Sequence, residues 1–332
     1  MIFLVTGGLG FVGSRFIEIA RRELEGAKFI IFDNFSVGKL ENLSSFVDLP
    51  NVKPLKDGES LCISHDITVV KGDIRNVEDI ERVGDELDVI IHLAGNTGVQ
   101  PSLDNPMLDL QSNIIGTFNI LNFAKSKSKL PRVIFSSSNA PLGEAEQPVS
   151  EKSPCAPLSP YGASKLAAEG YLSAYNSSFG VPTISLRFGN LYGVGSTHKS
   201  SVVAKFIKHA LNGESWPIYG DGTQSRDFLF LDDLIQAIIR SVKINSNFGE
   251  VFQISTGRET TILKLCEMLG SELHARGITP PSLAYESKRS GDMPKNYSDV
   301  SKAKKLLSWE AKETLQTGLG KTIDWFISSK RN

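Results

Sequence analysis

The chain has 332 residues, with 36 Lys and Arg against 37 Asp and Glu and 40% apolar side chains, the make-up of a globular chain long enough for one large or two intimate domains. A formal net charge of -1 without a basic run excludes a dedicated nucleic-acid or membrane-surface protein, and no apolar stretch approaches the ~20 residues of a bilayer span. Cys62, Cys155 and Cys266 are too scattered for a disulfide framework or a metal site, so no metal is expected.

Residues 2–6 read as an apolar strand. Because the chain opens on it, no signal peptide is expected and the protein is expected to be cytoplasmic. A glycine turn, TGGLGFVG at 6–13, follows, and then a helix pattern through Phe16, Ile17, Ala20 and Leu24. Gly7, Gly10 and Gly13 would permit a tight turn, close approach of backbone to a pyrophosphate, and tight helix packing. The second strand, 29–33, ends in Asp33, whose carboxylate can accept both hydroxyls of an adenosine ribose and would repel a 2′-phosphate; this predicts NAD rather than NADP. The alternative for Asp33 is a turn residue before Asn34.

Residues 49–65 hold two prolines and little periodicity, which predicts a surface excursion or small hairpin. Strands follow at 67–71, 89–93, 133–137 and 183–187. Asp73 suits either a helix cap or the adenine edge, and His92 reads as a structural histidine. A long helix pattern over 104–125 carries Leu108, Ile115, Phe118 and Leu121 at helical spacing; Asn113 and the Gly116-Thr117 step organise that helix. Ser138 closes the fifth of these strands. Tyr161 and Lys165, four apart on one face of a helix announced by Ser159-Pro160, complete a cluster in which the ammonium favours phenolate and makes the phenol a usable acid and base.

Beyond 187 the alternation breaks into a Gly-rich loop at 189–196, a helix at 200–211, strands at 216–219 and 227–230, and helices at 232–242, 261–276, 300–308 and 315–329. The fold expected is α/β: a Rossmann-type doubly wound parallel sheet with a smaller mixed α/β substrate lobe over its carboxyl edge. Residues 1–187 plus about 227–245 would form the dinucleotide-binding domain, and about 188–226 with 246–332 the second lobe.

The motifs TGGLGFVG (6–13), IIHLAG (90–95), SNIIGTFNIL (112–121), SPYGASK (159–165), LRFGNLYG (186–193), YGDGTQSRDF (219–228) and SGDMPKNYSD (290–299) run in order along the chain. In this it resembles the extended short-chain dehydrogenases/reductases, of the NAD-dependent nucleotide-sugar epimerase/dehydratase family. The resemblance implies that Gly7, Gly10, Phe11, Val12, Asp33, Asn34, Asp73, Ile74, Leu93, Ala94 and Lys165 line NAD. It implies that Ser138 and Tyr161 handle a sugar hydroxyl, and that Asn190, Arg226, Arg289 and Asp292 hold the nucleotide diphosphate and its ribose. Two planar guanidinium forks suit a pyrophosphate, whereas the alternative for Arg226 is a surface salt bridge with Asp227, and for Arg289 likewise a surface pair.

Where dehydratases of the family place Asp-Glu after the active hydroxyl residue, this chain has Asn139-Ala140, so elimination lacks its usual acid and base. Pro141-Leu142-Gly143 replaces the usual Val-Tyr-Gly, and Thr97 stands where one epimerase subgroup has Lys. The implied activity is epimerisation of a UDP-sugar at C4 through a 4-keto intermediate. The alternatives are a 2-epimerase, dehydratase or reductase of the same family, or a non-catalytic NAD-sensing scaffold. Relatives pair the two long helices across a twofold axis, which implies a homodimer.

Overall fold

The computed structural model describes residues 1–50, 54–288 and 294–330. The chain forms two compact units: Met1–Gly143, Pro154–Arg187 and Ile238–Phe252 make the first, and Glu144–Ser153, Phe188–Ala237 and Gln253–Asn332 the second. Thus 238–252, rather than 227–245, join the first unit, and 144–153 belong to the second.

From the amino end come β1 (Ile2–Thr6), α1 (Phe11–Glu23), β2 (Lys28–Asp33), β3 (Ser60–Ser64), β4 (Ile67–Lys71), α2 (Val77–Glu81), β5 (Val89–His92), α3 (Val99–Asp104) and α4 (Pro106–Asp109). A π-helical segment (Leu110–Ile115) then leads into α5 (Gly116–Lys125), β6 (Arg132–Ser138), α6 (Pro160–Phe179) and β7 (Thr183–Phe188). The remainder is α7 (Val202–Asn212), β8 (Trp216–Tyr219), β9 (Ser225–Arg226), α8 (Leu231–Lys243), β10 (Glu250–Gln253), β11 (Thr260–Thr261), α9 (Ile262–His274), β12 (Leu283–Glu286), α10 (Ser301–Leu307) and α11 (Leu315–Ser329).

The first unit is built on an eight-stranded sheet in the order β10-β7-β6-β5-β1-β2-β4-β3. β1 lies parallel to β2 and β5, β2 to β4, and β5 to β6. Parallel strands are covered on both faces and so read as unbroken apolar runs; Phe3, Leu4 and Val5 of β1 have no exposed surface. On one face Leu4, Phe32, Ile90 and Phe135 pack with Ile120, Leu121 and Ala124 of α5 and Ala168 and Leu172 of α6. Phe16 of α1 meets Phe3 and Phe29 edge-on, at 6.0 and 6.3 Å between ring centroids.

One open alternative is decided and three expectations change. The segment before β4 supplies an antiparallel edge strand, β3, so the hairpin alternative holds for its described part, residues 51–53 lying outside the described residues. The helix pattern over 104–125 is divided: Asp104 ends α3, and the rest is α4, the π segment and α5, the π turn inserting one residue into the helical register. In place of the strand expected at 227–230 stands β9 just before it, with Phe230 making an isolated bridge to Tyr192. Finally β10, from the stretch assigned to the second lobe, joins the main sheet beside β7.

In the second unit β9 pairs antiparallel with β11, and β8 parallel with β12. Its core gathers Phe206, Trp216, Ile218, Leu265, Leu269, Leu319, Ile323 and Phe326. Trp216 stacks on Phe206 at 5.3 Å and donates its indole N–H to the Phe206 carbonyl at 2.8 Å, so the one polar atom of this ring is satisfied. All three cysteines are free thiols. Among the described residues no His, Cys, Asp and Glu cluster could hold a metal, and no helix is long and apolar enough to cross a membrane.

Candidate active site

The turn between β1 and α1 is tight for steric reasons. Gly7 has φ +68°, and a Cβ on it would stand 2.9 Å from the Ala94 nitrogen, so the turn lies directly against the chain leaving β5. At Gly13 a Cβ would stand 2.5 Å from Gly8 Cα, which is why the helix closes onto the turn only with glycine there. No side chain caps the start of α1 and its first turn holds no acid. The positive end of the helix is therefore available to an anion, as a dinucleotide pyrophosphate requires.

Asp33 ends β2 with only 7% of its surface exposed, and it accepts the Leu9 N–H at 3.1 Å and the Phe35 N–H at 2.9 Å. Burial raises its pKa above the ordinary carboxylate value, against the pull of those two amides. Asp33 thus braces the glycine turn from below, and each oxygen keeps a lone pair for a ribose hydroxyl. Asn34 donates to Asp73 at 3.0 Å, and Arg75 holds the same carboxylate from Nε at 2.9 Å and Nη2 at 2.7 Å. Burial alone would raise Asp73, but Arg75 and Asn34 outweigh it and bring the pKa down to about 2. The cap of α2 is Asn76, not Asp73. Ile74 lies on Gly116, where a Cβ would stand 2.5 Å from its Cδ1.

Ser159 caps α6 by accepting the Gly162 N–H, Pro160 fills the first turn, and Gly180 ends the helix in the left-handed conformation. This fixes Tyr161 and Lys165 at its head. Tyr161 shares a hydrogen bond with the Ser138 side chain, whose oxygen also accepts the Ala140 N–H at 3.1 Å. Lys165 is 2% exposed; its Nζ donates to the Ser136 carbonyl at 2.9 Å and sits 4.6 Å from the Phe135 ring centroid. Burial lowers its pKa to about 8, with Asp109 and Glu169 acting in the opposite direction.

The phenol shift runs against expectation. Crowding by protein raises the Tyr161 pKa, the Ser138 hydrogen bond opposes this, and the charge of Asp109 adds to it. The lysine is heavily desolvated, its Nζ is committed to the Ser136 carbonyl and it lies in the field of two carboxylates, so it does not make phenolate the resting form.

Behind these groups lies a polar network that the sequence hardly announced. Thr117 Oγ1 gives its proton to the Asn113 carbonyl at 2.6 Å, so toward His92 Nε2, 3.0 Å away, it accepts. Thr6 Oγ1, 2.7 Å from His92 Nδ1, must then donate there. The imidazole is thus neutral with its proton on Nε2, and burial, with Lys165 adding to it, lowers its pKa to about 3. Asn113 donates to the Asn96 carbonyl at 3.1 Å and to Ser164 Oγ at 2.9 Å, and Ser164 donates to the Tyr161 carbonyl at 2.9 Å. The sequence reading missed Asn96, Asp109 and Glu169. The signal was spacing: Asp109 precedes Asn113 by four and Glu169 follows Lys165 by four, polar residues on inward helical faces.

In the second unit Asn190 holds φ +47°, a left-handed conformation Asn tolerates better than most residues, in the loop after β7. Arg226 lies on β9 and donates to the Ser225 carbonyl at 2.7 Å. Asp227 commits its carboxylate to Thr256 and the Gly257 N–H, at 2.5 to 2.9 Å. Arg289 and Asp292 lie outside the described residues.

A phenol and an ammonium one helical turn apart, with a serine at a strand end and a glycine turn after the first strand, form the arrangement of an extended short-chain dehydrogenase/reductase. The chain belongs to the NAD dependent epimerase/dehydratase family, whose model matches residues 3–255. It is 30% identical to a UDP-glucuronate 4-epimerase of Thermodesulfobacterium geofontis over 99% of this chain and 96% of the relative. A solved UDP-N-acetylglucosamine 4-epimerase from Methanobrevibacter ruminantium superposes with a TM-score of 0.84 at 32% identity, covering 98% of each chain. A UDP-glucose 4-epimerase from Thermotoga maritima, solved with UDP-glucose, gives 0.86 at 31% identity, covering 99% of this chain and 100% of that one.

Proposed function

We propose that this chain is a UDP-sugar 4-epimerase working in the cytoplasm. The observation that carries the reading is the Ser138–Tyr161 hydrogen bond beside the buried Lys165, in a chain whose full-length relatives invert C4 of three different UDP-sugars. Tyr161 removes the proton of the C4 hydroxyl while Ser138 hydrogen-bonds the same oxygen, and the Lys165 ammonium offsets the negative charge that develops. NAD, lined by Gly7, Gly10, Phe11, Val12, Asp33, Asn34, Asp73, Ile74, Leu93, Ala94 and Lys165, would take the C4 hydrogen as hydride and return it, so that the cofactor is regenerated in each cycle. The 4-keto sugar presents its other face while Asn190, Arg226, Arg289 and Asp292 keep the nucleotide diphosphate in place, and Tyr161 returns the proton. Asn139 after Ser138 is 8% exposed and followed by Ala140 and buried Pro141, so no second acid and base stands there for loss of water.

The test is a screen of UDP-glucose, UDP-galactose and their N-acetyl and uronic forms, with products identified by NMR and nicotinamide absorbance followed. Interconversion of one C4 pair with no net consumption of cofactor is expected. Stoichiometric loss of added NADH, loss of water, or no turnover of any sugar would overturn the reading in favour of a reductase, a dehydratase or a scaffold.

A homodimer belongs to this proposal. The predicted stripe divides: Leu121 is fully buried, but Ile115 (43% exposed) and Phe118 (36%) face outward, with Met107, Leu110, Tyr171 and Phe179 also exposed. Phe118 meets Tyr171 edge-on at 5.6 Å, so the helices carrying them share one apolar surface of a kind that marks an interface. Sedimentation should give twice the 36.2 kDa chain mass, and Phe118→Glu should halve it; a wild-type monomer at micromolar concentration would remove the dimer.

A further inference from the structure

We propose that Asp109 is a positioning residue of the reaction: its buried carboxylate, gripped by Asn96 on the helical face that also presents Asn113, sets how readily Lys165 and Tyr161 give up their protons. The proposal uses the epimerase reading only in taking Tyr161 as the group that moves the sugar proton.

Asp109 and Asn113 stand on either side of the α4–π junction, and both hold Asn96. Asn96 Nδ2 donates to Asp109 Oδ1 at 2.5 Å, and Asn113 Nδ2 donates to the Asn96 carbonyl at 3.1 Å. The neighbouring residue is Gly95. A Cβ there would stand 2.6 Å from Asn113 Oδ1 and 3.7 Å from Lys165 Nζ, so the absence of a side chain lets the amide and the ammonium approach one another. Asp109 has no solvent-exposed surface, and burial raises its pKa against the pull of Asn96 and Lys165. Its Oδ2 and Asn113 Oδ1 have no hydrogen-bond donor among the described residues.

The charges around Lys165 are Asp109 on α4, Glu169 on its own helix, and the Arg187 guanidinium on β7 that pairs with Glu169; His92 on β5 is neutral. Glu169 is locally neutralised. Among the described residues Asp109 receives only the neutral amide of Asn96, so its field reaches both Lys165 and Tyr161. A negative charge stabilises the ammonium and disfavours the phenolate; it opposes the burial that lowers the Lys165 pKa and adds to the burial that raises that of Tyr161.

The experiment follows ionisation of Tyr161 in the NAD-bound enzyme without sugar, from the ultraviolet phenolate signal minus that of Tyr161→Phe. In Asp109→Asn the phenolate should form at a pH lower by on the order of one unit, and Asp109→Glu should restore the wild-type titration. Both limbs of the pH–activity curve should move the same way. A folded Asp109→Asn enzyme that titrates like the wild type would overturn the proposal. If that variant does not fold, Asp109→Ser, which removes the same charge and keeps an oxygen that can accept from Asn96, should shift the phenolate titration in the same direction; an unchanged titration there overturns it equally. Because the titration needs no sugar, its outcome is separate from whether any UDP-sugar is turned over.

Discussion

Glu169 and Asp109 both raise the proton affinity of Lys165, yet they stand in regions built differently. On the α6–β7 side, Glu169 accepts Ser137 Oγ at 2.5 Å and both Nε and Nη2 of Arg187, at 2.8 and 2.6 Å, with each side chain of the ion pair 4% exposed. On the α4 side, Asp109 accepts one amide and leaves an oxygen without a donor among the described residues. A carboxylate matched by a buried guanidinium holds structure. One matched only by a neutral amide keeps its electrostatic reach, at some cost in stability.

The sharpest way to break this contrast is by stability. Glu169→Gln should destabilise the protein by about 3–5 kcal/mol in urea unfolding, because Arg187 is left buried without its counter-charge. Asp109→Asn should cost no more than about 1 kcal/mol, since the amide oxygen can still accept from Asn96. Equal losses would show that the two regions are not differently built.

Next in size is an effect of acid on the network between them. His92 is neutral in the fold, with a pKa lowered to about 3, whereas in the unfolded chain it binds a proton near its ordinary 6.5. The unfolded state therefore holds more protons below that value, and stability falls as pH drops from about 6.5 toward 3, by on the order of 4 kcal/mol in all. Between pH 7 and 4, His92→Gln should show a flatter stability profile; a slope equal to that of the wild type would mean that another group carries it.

Tyr161→Phe tests the chemical side of the comparison. It should leave folding and NAD binding intact and lower turnover by ~10² or more, the usual contribution of a positioned acid and base. Near-wild-type turnover would take Tyr161 out of the mechanism. The smallest effect is expected at Asp33: NAD should bind about tenfold more tightly than NADP, and Asp33→Asn should narrow the gap by removing the charge that repels a 2′-phosphate. Equal affinities in the wild type would place Asp33 away from the ribose.

The sheet was legible because its inner strands, buried on both faces, spell continuous apolar runs; β1 and β4 fall on the residues the pattern indicates. β10 was not, since Glu250-Val-Phe-Gln253 is four residues long with polar ends and is a strand only by virtue of its neighbour β7. That Tyr161, Lys165 and Ser138 come together was legible from spacing and chain order. The sign of the Tyr161 shift was not, because burial is a property of the folded surroundings and overrides the simple expectation for a phenol near an ammonium. Asp109 was missed because an acid on an exposed-looking helix pattern ordinarily faces water, and only the fold turns it inward.

The π segment Leu110–Ile115 also bears on how this chain tolerates change in length. A π turn holds one residue more than an α turn, so losing a single residue between Asp109 and Asn113, at 110, 111 or 112, would let this stretch close as a regular helix. Everything before it would then be rotated by about 100° relative to α5, carrying Asp109 off the face it shares with Asn113. Single-residue deletions here should therefore give well-folded proteins with altered proton chemistry, whereas deletions of the same size in α5 would disturb the core itself. The extra residue works as a register mark, fixing which side of the helix looks toward Lys165.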